Sequence, residues 1–159
     1  MKTTKRIWLP VVVGILIAEG VGALSALLSG GFTDVYTVLR QPPLAPPAWV
    51  FPVAWTILYA MMGAASGLVW AEAGETPRGK NALTVYAVQL TLNFSWSIIF
   101  FRFQALRLSV AVIVLLTVAV IWAALLFRRI RPLAGWLMVP YILWLLFATY
   151  LNIGVWLLN

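Results

Sequence analysis

Residues 7–28, 48–71, 81–101, 106–127 and 133–157 form five mainly apolar stretches in one chain. About 20 such residues carry a helix across the hydrocarbon core of a bilayer. Lipid offers no hydrogen bonds to an exposed backbone, so an apolar stretch of this length must satisfy its own amides, as a helix does. The chain is therefore expected to be all-α, a bundle of five transmembrane helices forming a single domain over residues 1–159. Composition agrees: 64% of the residues are hydrophobic and 9% charged, against about 45–50% and about 25% in soluble domains. The breaks between stretches are polar or helix-breaking: "SGGFTDVYTVLRQPPLAPP", "EAGETPRGK", "RFQALR" and "RRIRP". The last two are short enough to force antiparallel hairpins. The first stretch follows a basic start but exceeds the about 7–15 residues of a signal-peptide core and carries Glu19 in its middle, so it reads as a retained helix.

The formal charge of +7 sits in short clusters between apolar runs, not on a basic face with interleaved aromatics, which argues against nucleic acid as a partner. It reads instead as a topology signal. Lys2, Lys5, Arg6, Arg78, Lys80, Arg128, Arg129 and Arg131 fall on one side, and only Arg40, Arg102 and Arg107 on the other. In a bacterial inner membrane that bias places the N-terminus in the cytoplasm and the C-terminus outside.

Cysteine and histidine are both absent. Disulfides, zinc and iron–sulfur sites and His-ligated haem are excluded with them, and so are the usual Ser/His/Asp and Cys/His arrangements. No metal site is expected and no cofactor is obligatory. Any chemistry rests on aromatic, amide, hydroxyl or lone carboxylate groups.

In the first span, Gly14, Ala18, Gly22, Ala26 and Gly30 recur every fourth residue, a pattern that lets helix backbones approach closely in lipid. Packing within one bundle is the leading reading of that stripe, and a homodimer seam the second. Glu19 is the carboxylate inside a span, expected to be protonated and bonded to an amide such as Asn93 or Gln89, or else to serve a ligand or proton site. At about 100° per residue, Gln89, Asn93, Trp96 and Phe100 share an arc of about 60° on the third span. Trp55, Tyr59, Met62 and Ser66 share a side of the second span, and Trp144, Ala148 and Asn152 a face of the fifth. Trp8, Trp70, Trp136 and Trp156 lie near span ends, where indoles favour the interface anyway. Trp55, Trp96 and Trp144 sit deeper. An aromatic pocket with a few amides suits a flat, mostly apolar ligand.

Three blocks in order, "PPAWVFPVAWTILYAMMG", "QLTLNFSW…FF" and "PYILWLLFATYLN", make the chain resemble the TspO/MBR family, bacterial relatives of the mitochondrial translocator protein (peripheral benzodiazepine receptor). The resemblance runs along nearly the whole chain. It implies a bundle, often dimeric, that binds protoporphyrin IX or haem between the helices under the long first loop, with links to tetrapyrrole regulation and stress. Carried over, the ligand-binding positions are Trp55, Asn93, Trp96, Trp144, Ala148, Leu151 and Asn152, beside Tyr59, Met62, Gln89 and Phe100 from the stripes. Trp55 and Trp144 become catalytic only if bound porphyrin is degraded with light and oxygen, the enzymatic alternative; a porphyrin or lipid transporter is another. A porphyrin or haem would bind as a ligand without axial ligation by His or Cys. Arg40, Pro42, Pro43, Leu44, Pro46 and Pro47 form the expected lid, stiffened because proline fixes φ and restricts the residue before it. The family's loop carries a basic and an aromatic residue where Gln41 and Leu44 stand here. Its animal members end on a cholesterol-recognition pattern, whereas no basic residue follows Tyr150.

Overall fold

The computed structural model describes residues 7–159; the calls on Lys2, Lys5 and Arg6 lie outside the described residues. The helices are α1 (Trp8–Leu28), α2 (Phe32–Val38), α3 (Val50–Ala73), α4 (Pro77–Ser97) continued by a π turn (Ile98–Arg102), α5 (Leu106–Ile130) and α6 (Pro132–Leu158). All but α2 are long and apolar enough to cross a bilayer. The protein is an integral, multi-pass membrane protein, and the lipid bilayer is its surroundings.

α4 starts at Pro77, earlier than the apolar pattern suggests, because local chemistry decides the start. The Thr76 hydroxyl accepts the Gly79 amide at 3.0 Å, and proline takes the first helical position, where no amide is needed. α6 likewise opens on Pro132 after the extended Arg131.

The helices pack through two kinds of contact. α1 meets α3 backbone to backbone: an added Cβ on Gly63 would stand 2.5 Å from the Gly14 carbonyl oxygen, and one on Gly67 2.3 Å from that of Pro10. Gly14 and Ala18 of the small-residue stripe are thus spent inside one chain. Elsewhere the core is made of large side chains. The featureless-looking α5 supplies Ile113, Leu116, Val120 and Phe127, against Tyr141 and Met138 of α6, all fully buried.

The segment between α1 and α3 forms a lid, and α2 within it had no sequence signal. Gly30 and Gly31, at φ +75° and +100°, turn the chain back over the bundle, a conformation glycine adopts without steric cost. Phe32 then drops among Phe51 and Phe101, with ring centroids at 5.3 and 4.9 Å. The proline run is tied down on both sides. The Tyr36 hydroxyl donates to the Pro46 carbonyl, and burial raises that phenol above its ordinary value of 10.0, so it stays a donor. The Gln41 amide donates to the Tyr36 carbonyl at 3.0 Å. From α6, the Tyr150 hydroxyl donates to the Pro43 carbonyl at 2.7 Å, Gly154 lies bare against Pro42, and the Asn159 amide exchanges two 3.0 Å bonds with the Arg40 backbone.

Candidate functional site

Under α2, between α1, α3 and α4, lies a cavity of about 160 Å³. Its walls are Phe32, Phe51, Trp55, Tyr59, Trp96 and Phe101; Gly22 and Ala26 open its α1 side, and Ser25, Ser29, Ser97 and Asn93 give it a polar edge. The edge is already bonded: Ser25 pairs with Ser97 and donates to the Phe94 carbonyl at 3.0 Å, while Ser29 donates to the Ser25 carbonyl at 2.7 Å. A second space of about 30 Å³ lies beyond Phe51, Trp96 and Phe101, which line both, and is bounded by Phe100, Ala148, Leu151 and Asn152 with Tyr36 and Gln41 of the lid. Three aromatic side chains therefore partition one chamber beneath the lid.

Trp55 is the hub of the wall. Its ring centroid lies 5.7 Å from Tyr59, 6.3 Å from Trp96, 6.1 Å from Tyr141 and 6.4 Å from Trp144. Those spacings are ordinary for tilted and edge-to-face aromatic pairs, so the indole is fixed by its neighbours while one side faces the cavity.

The amides expected to greet a ligand are bonded to the protein. Tyr59 donates to Asn93 Oδ1 at 2.8 Å, Asn93 Nδ2 donates to the Tyr141 hydroxyl, and that hydroxyl donates to Gln89 Oε1 at 3.0 Å. Gln89 Nε2 lies 3.9 Å from the Met62 sulfur. In a second chain, Trp96 Nε1 donates to Asn152 Oδ1 and Asn152 Nδ2 to Ser109 Oγ, both at 2.9 Å. In lipid an unpaired buried amide is costly, and these chains supply the partners. They hold the aromatic walls in place, and Tyr59 and Trp96 owe their orientation to Asn93 and Asn152.

The site residues read from the sequence thus separate. Trp55, Tyr59, Asn93 and Trp96 line the main cavity; Phe100, Ala148, Leu151 and Asn152 line the smaller one. Met62 and Gln89 lie deeper, in the hydrogen-bonded chain. Trp144 lines neither space. It stands behind Trp55 with a buried, unpartnered Nε1, facing an open groove of about 470 Å³ between α3 and α6. Of the lid residues only Pro42 is buried; Pro43, Leu44 and Pro47 are exposed, Pro46 is half-buried, and Arg40 engages Asn159 through its backbone. Glu19 does not bond Asn93 or Gln89, whose groups are taken; it is half-buried on the flank of α1.

Sequence reasoning missed Ser25, Ser29, Phe32, Phe51 and Phe101. The serines fall within about 60° of Gly14 on the α1 wheel, so the small-residue stripe carried a signal. Phe101 had none. In a regular helix it would turn away from Phe100, but the extra residue of the π turn keeps both rings inside, 4.7 Å apart.

Similarity to known proteins covers the same helices. The model of the TspO/MBR family matches residues 11–157. A tryptophan-rich protein TspO of Chlorobaculum tepidum is 39% identical over 78% of this chain and 78% of its own length. Protein CrtK of Rhodobacter capsulatus is 38% identical, covering 87% and 85%. The human translocator protein is 34% identical, covering 94% and 89%.

Proposed function

The chain belongs to the TspO/MBR family, and from that premise we propose that it is a membrane receptor or sensor that takes a tetrapyrrole, protoporphyrin IX or haem, into the chamber beneath the lid. The observation that carries this is the aromatic cavity: Trp55, Trp96, Phe51 and Phe101 line it with ring faces and edges, the surroundings a flat conjugated ring prefers.

Closed, the cavity's about 160 Å³ falls below the about 300–1,000 Å³ of a drug-sized site, and a tetrapyrrole is no smaller. Entry requires the partition of Phe51, Trp96 and Phe101 to move and the lid to lift, joining the two spaces. The amides are bonded already, so the ring is held by stacking and apolar contact. Its carboxylates would lie toward the lid, where the Arg40 guanidinium makes no ion pair among the described residues. With no His or Cys to ligate the metal, metal-free porphyrin binds about as well as haem. In a bacterial inner membrane, the basic bias of its turns assigns the N-terminal end of the bundle to the cytoplasm.

The test is a titration of the purified protein with protoporphyrin IX, read by quenching of tryptophan emission. Trp55→Ala removes part of the wall, whereas Trp122→Ala removes an exposed, lipid-facing indole of α5 and controls for partitioning. The expected result is saturable quenching that Trp55→Ala weakens about tenfold and Trp122→Ala leaves alone. Equal effects of the two variants, or a strong preference for haem, would overturn the reading.

A further inference from the structure

The end of the bundle opposite the lid gathers charge with a definite arrangement. Arg78 at the start of α4 donates to the carbonyl of Arg129 at the end of α5, which joins two hairpins. Arg128 lays its guanidinium over the ring of Trp136 on α6, 5.7 Å from the centroid. The acids of this rim are engaged elsewhere: Glu72 with Arg131 at 3.7 Å and Glu75 with Lys80 at 3.9 Å. Arg78, Arg128 and Arg129 are exposed and have no acidic partner among the described residues.

The surroundings point to one class of partner. Trp136 is 60% exposed, as an indole at the level of the headgroups would be. From Arg128 and Arg129 an uninterrupted exposed stripe, Leu125, Ile121, Val118 and Val114, runs down α5 toward the lid end. A molecule that satisfies both ends needs a negative head and an apolar tail lying along the helix. The opposite rim offers no comparable cluster: Arg107 lies over Trp156 at 5.7 Å, while Arg102 donates to the Leu28 carbonyl at 3.2 Å.

We propose that Arg78, Arg128 and Arg129 form a binding site for the phosphate headgroup of an anionic glycerophospholipid, with one acyl chain along the exposed stripe of α5. Trp136 holds Arg128 flat, and the Arg129 carbonyl holds Arg78, so two of the three guanidinium groups are positioned before the lipid arrives. Less side-chain freedom is then lost on binding. Basic clusters between transmembrane helices recognise such headgroups through charge at close range.

The full-length protein in neutral detergent would be titrated with phosphatidylglycerol or phosphatidylcholine and retained lipid counted by native mass spectrometry. Phosphatidylglycerol should be retained preferentially. Each arginine replaced by glutamine should weaken it about fivefold, and Arg78→Gln/Arg128→Gln/Arg129→Gln about a hundredfold. Arg107→Gln at the other rim should leave lipid retention unchanged. If the triple variant fails to fold, Arg129→Gln alone suffices, since that side chain makes no ion pair among the described residues. Equal retention of the two lipids by the wild type, or undiminished selectivity in Arg129→Gln, would overturn the proposal. Displacement of the lipid by equimolar inorganic phosphate would overturn it in favour of a free-anion site.

Discussion

Replacing Gly63 with alanine tests whether backbone contact between α1 and α3 holds the bundle together. The added Cβ would lie 2.5 Å from the Gly14 carbonyl oxygen and 2.6 Å from Ile15 Cα. Both neighbours are backbone, so no side-chain rotation relieves the clash. Restoring ordinary contact at about 3.4 Å means moving α1 outward by about 1 Å, and overpacking of this kind costs about 1–3 kcal/mol. Alanine also gains up to about 1 kcal/mol over glycine in a helix, which hides part of the cost. Gly20→Ala supplies the correction, because nothing lies within 4 Å of its added Cβ and it carries the same propensity gain. The difference between the two variants is thus the packing cost alone, about 1–3 kcal/mol in favour of Gly20→Ala. Unfolding in mixed micelles by titration with dodecyl sulfate, followed by circular dichroism, measures it. Coincident curves for the two variants would refute the reasoning, because the approach of the helices would then contribute nothing measurable.

Trp96→Phe leaves Asn152 Oδ1 without its donor in a buried site and should destabilise by about 1–3 kcal/mol; Trp96→Phe/Asn152→Leu should recover part of that in the same assay. Tyr150→Phe combined with Asn159→Ala removes the α6 side of the lid fastening and should speed amide exchange across residues 32–49, read by mass spectrometry, while the five spanning helices exchange as before. Leu44 sits exposed at φ +68°, where a side chain costs about 1–2 kcal/mol, so Leu44→Gly should slow exchange in the lid and Leu44→Val should speed it. If bound protoporphyrin is consumed in light and air, Trp55→Phe should reduce the bleaching rate more than Trp144→Phe, because only Trp55 faces the cavity; the reverse order would remove Trp55 from that chemistry.

Much of the fold could be read in advance because lipid imposes one rule on every spanning segment. Hydropathy alone located five helices, and the spacing of Gln89, Asn93 and Trp96 announced an inward face. The failures share a cause: each depends on contacts between residues distant in sequence. α2 has seven residues and no apolar period, and it exists because Phe32 finds Phe51 and Phe101. The π turn shifts Phe101 by one position, which no periodic count anticipates. Trp144 was read as a pocket wall from depth and face, but depth does not say which neighbour stands in front, and Trp55 does. The amides of Asn93 and Asn152 looked available because sequence cannot show that Tyr59 and Trp96 already bond them.

The fastening of the lid has a consequence for how the protein is made. The walls of the main cavity come from α1 through the π turn, segments that emerge early during synthesis. The residues that hold the cover down, Tyr150, Gly154 and Asn159, emerge with the final helix. During the interval neither cover nor walls are fixed, because Trp96 and Asn93 also wait for Asn152 and Tyr141 of α6. The chamber and its cover are therefore completed together, when the final helix docks.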